Sequence, residues 1–201
     1  MGLNKIYLDY IEECIRIGIG ELCGKKMLEL GNQRMSDNNM PEKTGKEYFN
    51  NRGVIHTSVD LNGLDGALVI DLSKPLPVLW LKHFDIITNS GATEHVEPFK
   101  AQYTCFMNIH NCLKVGGIAV HLLPDINELN NKGCWKYHCN NYYSEDFVKM
   151  LAKNNSYRLI SSKNIAGLIC FCLQKEKDIL FMKNHKEFLS HITRKNLRYM
   201  A

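Results

Sequence analysis

No apolar run in this sequence approaches the roughly 20 residues that a helix needs to span a bilayer. A membrane-crossing helix is therefore not expected. The start, Met1-Gly2-Leu3-Asn4-Lys5, leads into an amphipathic segment and not into a secretory signal. Position 6 holds Ile where a myristoylation motif would carry Ser or Thr. Neither sign of charge dominates: the formal net charge is +4, too mild to demand a nucleic-acid partner. Paired cysteine knuckles are missing. The eight cysteines lie mostly inside apolar segments, which fits reduced, largely buried thiols in a cytoplasmic protein. Cys134, His138 and Cys139 come nearest to a zinc pattern, but a structural site needs four ligands, usually from close pairs. No metal is expected. Internal repeats and low-complexity tracts are also lacking.

With 45% hydrophobic and 23% charged residues, the chain has the composition of an ordinary globular protein. At 201 residues it suits one domain spanning 1–201. An N-terminal helical segment (1–20) should precede a core (24–174), with a C-terminal helix over 178–201. Ile6, Tyr7, Tyr10, Ile11, Cys14 and Ile15 recur at helical spacing. Short β-rich runs follow at 26–30, 54–59, 67–70, 84–89 and 118–122. Between them lie helical patterns at 42–51 and 98–113, with another beginning at Ser144. Residues 157–161 and 168–173 read as an antiparallel pair. Strands alternating with helices predict an α/β fold, a three-layer doubly wound sheet with helices on both faces. The late antiparallel strand is its one departure from parallel order.

The stretch Lys26-Met27-Leu28-Glu29-Leu30-Gly31-Asn32-Gln33 organises the rest. A buried strand runs straight into a glycine, where the backbone can take positive φ and come close to a ligand. Ligands of open α/β sheets sit at the carboxyl ends of the strands, near the point where strand order reverses. Three strands carry acids near their tips: Glu29, Asp60 and Asp71. A carboxylate after the second strand suits the two hydroxyls of a ribose. Leu61 follows Asp60, and Leu72, following Asp71, could lie against an adenine ring.

A dinucleotide would need the G-x-G-x-x-G cradle for its pyrophosphate. Here only Gly31 is present, and Gln33 stands where the second glycine would be. An adenosyl cofactor without phosphates needs no such nest. The sulfonium and amino-acid tail of S-adenosylmethionine fit beside Glu29, Asn32 and Gln33.

Here the chain resembles the class I S-adenosylmethionine-dependent methyltransferases, over roughly residues 24–174. Leu28-Glu29-Leu30-Gly31 matches the first motif, Asp60 the second and Asp71-Leu72 the third. Asp85-Ile86-Ile87 with Asn89 matches the fourth, and Leu113-Lys114-Val115-Gly116-Gly117 precedes the fifth strand. The resemblance implies a seven-stranded Rossmann-like sheet with its last strand antiparallel. It also implies S-adenosyl-L-methionine as cofactor and S-adenosyl-L-homocysteine as product. The first motif departs from the family pattern in lacking the later glycines. The loop Ser90–Val96 looks like that of relatives acting on sugars or other small acceptors.

For methyl transfer to a hydroxyl, orientation does much of the work, and a placed base removes the proton. Glu94 and His95 follow the fourth strand, where acceptor sites of the family are built. His95 is the expected base, with His121 or His138 orienting a small-molecule or glycan acceptor. Trp135, Tyr137, Tyr142 and Tyr143 form either a stacking wall over the acceptor or an ordinary packed loop. The basic tail, Lys183, Lys186, Arg194, Lys195 and Arg198, reads as a solvated face. Two alternatives stay open: a methyltransferase-like binding protein without catalysis, and a nucleic-acid methyltransferase. Against the second, Asn89-Ser90-Gly91-Ala92 lacks the Pro-Pro-aromatic tetrad of many base-modifying enzymes. The oligomeric state is not legible.

Overall fold

The computed structural model describes residues 2–130 and 135–195. Helix α1 (Lys5–Gly18) starts where the Asn4 side chain accepts the Tyr7 backbone N–H, satisfying one of the donors that a helix start leaves free. Its apolar stripe of Tyr7, Leu8, Ile11, Cys14 and Ile15 is buried. Strand β1 (Lys26–Leu30), helix α2 (Gly45–Asn50), β2 (Ile55–Asp60), β3 (Leu68–Val69) and β4 (Phe84–Ser90) follow. Next come α3 (Ala101–Cys112), β5 (Leu113–Pro124), the single turn α4 (Asn127–Asn130) and β6 (Asn141–Tyr142). The chain continues through α5 (Glu145–Asn154), β7 (Tyr157–Ile165), β8 (Leu168–Lys175), α6 (His185–Ser190) and β9 (Thr193–Arg194). As the sequence predicts, Ser144 caps α5 by accepting from Phe147 N.

Seven strands form one sheet in the order β3-β2-β1-β4-β5-β8-β7. β3, β2, β1, β4 and β5 pair in parallel, and β8 runs antiparallel to both β5 and β7. Side chains alternate across the sheet because successive residues of a strand point to opposite faces. Ile118, Val120 and Leu122 of β5 join Cys170 and Cys172 of β8 under α1 and α2. Ala119 and Leu123 join Ile169, Phe171 and Leu173 under α3, α5 and α6. The two apolar layers are the α/β/α arrangement expected. Of the seven cysteines described, six are buried; Cys23 is exposed, and all are free. No helix among the described residues is long and apolar enough to cross a membrane.

Two expectations need correction. β5 does not begin after the Gly116-Gly117 pair but runs through it, from Leu113. Gly116 takes φ +81°, and a Cβ on Gly117 would stand 2.9 Å from the Asp85 carbonyl oxygen. Glycines here let the strand bulge against β4 between the pairs Phe84–Leu113 and Ile86–Ile118. The tail is also not one helix over 178–201. Asn184 caps only the short α6, and the chain then extends so that β9 pairs with β6. Arg198 lies outside the described residues, as does Cys134.

Candidate active site

Strand order reverses at β1, which has β2 on one side and β4 on the other. At the carboxyl ends of these strands a cavity of about 630 Å³ opens. Gly31, Asn32 and Gln33 form its floor after β1; Asp60 and Leu61 come from the end of β2; Asp71 and Leu72 follow β3. Gly91, Ala92, His95 and Glu97 close it from the loop after β4. The three places singled out in the sequence, near residues 31, 60 and 71, thus share one crevice.

Local chemistry explains its shape. Gly31 has φ +85°, and a Cβ there would meet Gln33 Nε2 at 2.8 Å. The turn is therefore open to glycine and strained for other residues. Asp60 is held by the loop it serves: Oδ2 accepts Asn32 N at 2.9 Å and Oδ1 accepts Asn62 N at 3.0 Å. Each carboxylate oxygen keeps a further lone pair for a ligand. Asp71 accepts Ser73 N at 2.9 Å, and the Ser73 hydroxyl, with that backbone N–H, holds its carboxyl below the usual range. Asn32 Oδ1 and Gln33 Oε1 are buried with no partner, which leaves two unsatisfied amide oxygens in the turn under the crevice.

Not every predicted residue reaches the crevice. The Glu29 side chain turns to the other face of the sheet, beneath α2. There Oε1 accepts Gln33 N at 2.8 Å, and Oε2 meets His56 Nε2 at 3.2 Å. Alternation along β1 forces this, because Met27 and Glu29 share one face while Leu28 and Leu30 share the other. Glu29 shapes the floor from below; it does not line it. Asn89 is fully buried and serves the next turn: its Nδ2 donates to Thr93 Oγ1 at 2.8 Å and pairs with His121 Nδ1 at 3.0 Å. His121 is enclosed between Phe106 and Phe171 and does not orient an acceptor. Burial pushes its pKa down to about 3.

That burial makes a pH prediction. A histidine whose folded pKa lies below its unfolded value of about 6.5 favours the folded state above 6.5. The advantage is lost as pH falls toward 3, because the unfolded chain binds the extra proton. Urea midpoints of the wild type should therefore drop steadily from pH 6.5 downward. His121→Gln, which keeps an acceptor for Asn89, should flatten that slope by about one proton.

Glu94, His95 and His138 do come together. They occupy a tight turn (93–95) after β4 and the segment before β6. His95 Nε2 lies 3.3 Å from His138 Nε2 and 3.8 Å from Glu94 Oε1. Glu94 is buried, and burial raises its pKa to about 8. His95 is 44% exposed in its side chain, faces the cavity, and is pushed down to about 4 by burial and by His138 beside it. A general base works best with a pKa near the working pH; an imidazole titrating near 4 is a weak base but always offers a lone pair. The turn is rigidly held: Gln102 Nε2 donates to the carbonyls of Thr93 (2.6 Å) and Val96 (2.9 Å), and Asn141 Nδ2 donates to that of Glu94 (3.0 Å).

Of the four aromatic residues before α5, Tyr142 and Tyr143 are core. Tyr143 OH donates to Gln102 Oε1, and Trp135 Nε1 donates to Ala166 O at the β7–β8 turn. Only Tyr137 of the four is exposed, so the packed-loop reading holds. Sequence reasoning missed Glu97, a residue of the crevice lining whose carboxylate pairs with Arg194 at 2.7 Å. Its place in the polar loop after β4 was the available signal.

No family model and no curated protein sequence matches the chain. Solved structures do match in fold. The 1,6-didemethyltoxoflavin-N1-methyltransferase of Burkholderia thailandensis, solved with bound 1,6-didemethyltoxoflavin and S-adenosylhomocysteine, aligns with TM-score 0.59 and 15% identity. That alignment covers 86% of this chain and 82% of the other. The N-methyltransferase NodS of Bradyrhizobium japonicum, solved with S-adenosylhomocysteine, aligns with TM-score 0.61 and 12% identity, covering 87% and 89%. A SAM-dependent methyltransferase from Methanosarcina mazei aligns with TM-score 0.58 and 12% identity, covering 89% and 100%. The fold is thus the Rossmann-like one of the class I methyltransferases.

Proposed function

From the class I methyltransferase fold, we propose that this chain is an S-adenosylmethionine-dependent methyltransferase acting on a small-molecule acceptor, a sugar-like hydroxyl compound foremost. One observation carries the reading. The crevice lining contains three carboxylates and no lysine or arginine; Glu97 is paired with Arg194 and Asp71 lies 3.4 Å from Lys74, while Asp60 forms no ion pair among the described residues. A lining whose own side chains include no cation, and whose Asp60 carboxylate is unpaired, offers a phosphate no counter-charge. In addition, no helix starts at the tip of β1: α2 begins at Gly45, well after Gly31. The helix N-terminus that holds a dinucleotide pyrophosphate is absent from that place. A nucleoside bearing a sulfonium fits both facts.

In this reading Asp60 accepts the ribose hydroxyls, and Leu61, Asp71 and Leu72 border the adenine. Gly31, Asn32 and Gln33 face the amino-acid tail. Glu29 and Asn89 position the floor and the turn after β4 without touching the cofactor. The bound cofactor would supply the methyl group, and the acceptor would enter beside Glu94, His95 and His138. Small acceptors are favoured because the neighbouring methyltransferase structures include one solved with a small heterocycle.

Native mass spectrometry of the purified protein, with calorimetric titration of S-adenosylhomocysteine, tests the proposal. A co-purified adenosyl compound, or saturable one-to-one binding, is the expected result. Absence of both, with NADH or ATP binding instead, would overturn it.

A further inference from the structure

We infer that Glu94, His95 and His138 form a binding site for one first-row divalent metal cation at the acceptor end of the crevice. The inference deepens the methyl-transfer reading, and the ion's use at the acceptor rests on that reading. The site itself stands on the protein's own atoms. One ligand atom from each of the three side chains lies within 4.8 Å of the others. Ligand atoms at zinc's usual 2.0–2.2 Å stand roughly 3.2–3.6 Å apart in a tetrahedron. The two imidazole Nε2 atoms, at 3.3 Å, already have that spacing. Glu94 Oε1 stands 3.8 Å from His95 Nε2, and binding of one ion would draw the three ligand atoms together from their present limit of 4.8 Å.

An independent observation points to a missing cation. Glu94 is 1% exposed, and its Oε2 has no hydrogen-bond partner. Among the described residues no lysine or arginine forms an ion pair with it, and the ionisable group within pairing distance is His95. A buried carboxyl group with an unpartnered oxygen is costly, and a bound cation is a partner that would satisfy it. Two imidazoles and one carboxylate are a donor set suited to first-row divalent ions. Three protein ligands leave coordination positions open, as in catalytic sites, whereas structural zinc is closed by four.

The surroundings are those of a supported site. The backbone of the turn is held by Gln102 and Asn141, and Asn89 fixes Thr93 from below. The His138 ring packs edge-on against Trp135. Such outer contacts orient ligands and raise metal affinity. His95 lines the cavity, so the open positions of the ion face the space left for the acceptor. A hydroxyl bound there would be polarised by the ion and lose its proton more readily.

The test uses the full chain, free of affinity tags and stripped with a chelator. Zn²⁺ is titrated by calorimetry and Co²⁺ by visible absorption, with S-adenosylhomocysteine titrated in parallel. One ion per chain is expected. Glu94→Gln and His138→Gln should each weaken uptake by more than the roughly 10–100-fold that loss of an outer-shell partner costs. His95→Gln, at a half-exposed position, secures the test should a buried variant fail to fold. No stoichiometric uptake by the wild type, or uptake unchanged in the folded variants, overturns the site. Binding of S-adenosylhomocysteine without ion uptake removes the metal site and leaves the methyl-transfer reading. Ion uptake without S-adenosylhomocysteine binding does the reverse.

Discussion

Asp60→Ala should weaken S-adenosylhomocysteine binding by about 10²–10⁴-fold. The carboxylate stands at the tip of β2 and lines the crevice. Its two oxygens are oriented by the N–H groups of Asn32 and Asn62. In the proposed complex it accepts both ribose hydroxyls. A hydrogen bond to a charged group contributes about 1.5–3 kcal/mol, so two account for the expected range at 1.4 kcal/mol per tenfold. Asp60→Asn should lose less, because one amide oxygen still accepts. Alanine also frees the Asn32 amide, so part of the loss is loosening of the floor. Thermal unfolding of the unliganded variant separates the two contributions: a drop of a few degrees marks the floor, and the remainder belongs to the ribose. Affinity within threefold of wild type would place the nucleoside elsewhere and take the crevice assignment with it.

The fold was largely legible from local pattern because its elements are locally consistent. The apolar spacing of α1, the cap at Ser144 and the continuous run of Phe84 to Asn89 each name their element without help from the rest of the chain. What was misread depended on distant partners. The glycine pair at 116–117 looks like a turn in isolation, yet it is strand because the Asp85 carbonyl of β4 passes too close for a side chain. The tail reads as one helix because its charges are mixed and its apolar residues spaced. Yet Phe181 and Phe188 are drawn singly into the core beside Tyr103, and the pairing of β9 with β6 ends any helix.

The site divides in the same way. Positions on loops at strand tips, Gly31, Asp60, Leu61, Asp71, Leu72 and His95, could be assigned to one crevice because topology alone brings strand ends together. Positions inside strands could not be judged by type. His121 has the chemistry of a catalytic group, but it alternates with Val120 and Leu122 in an apolar strand. Period-two reading puts it on the face of Ala119 and Leu123, in the core. The meeting of His138 with His95, some forty residues apart in sequence, had no local signal at all. It depends on the segment before β6 folding over the turn after β4, which Asn141 and Tyr142 secure through their bonds to Glu94 O and Trp135 O.

Glu29→Ala should destabilise the protein by about 3–5 kcal/mol, the usual cost of breaking a buried pair by removing one partner. Glu29 is 2% exposed, and the side chain of His56, its partner at 3.2 Å, is fully buried against Phe49. The contact is built for this carboxylate: a Cβ on Gly45 would stand 2.3 Å from Glu29 Oε2, so α2 packs this closely only with glycine there. Alanine at 29 strands the imidazole and removes the acceptor for Gln33 N. For a chain of this size the loss corresponds to a melting point lower by roughly 6–20 °C. A paired replacement by apolar residues, Glu29→Leu with His56→Leu, should recover most of it, since buried pairs often exchange for apolar packing at little cost. Cofactor affinity should not recover with it, because Gln33 N still lacks its acceptor and the floor after Gly31 stays loose. Recovery of stability and affinity together would mean that the floor is held by Gly31 and Asp60 alone. No recovery of either would mean that the carboxylate is needed for folding itself.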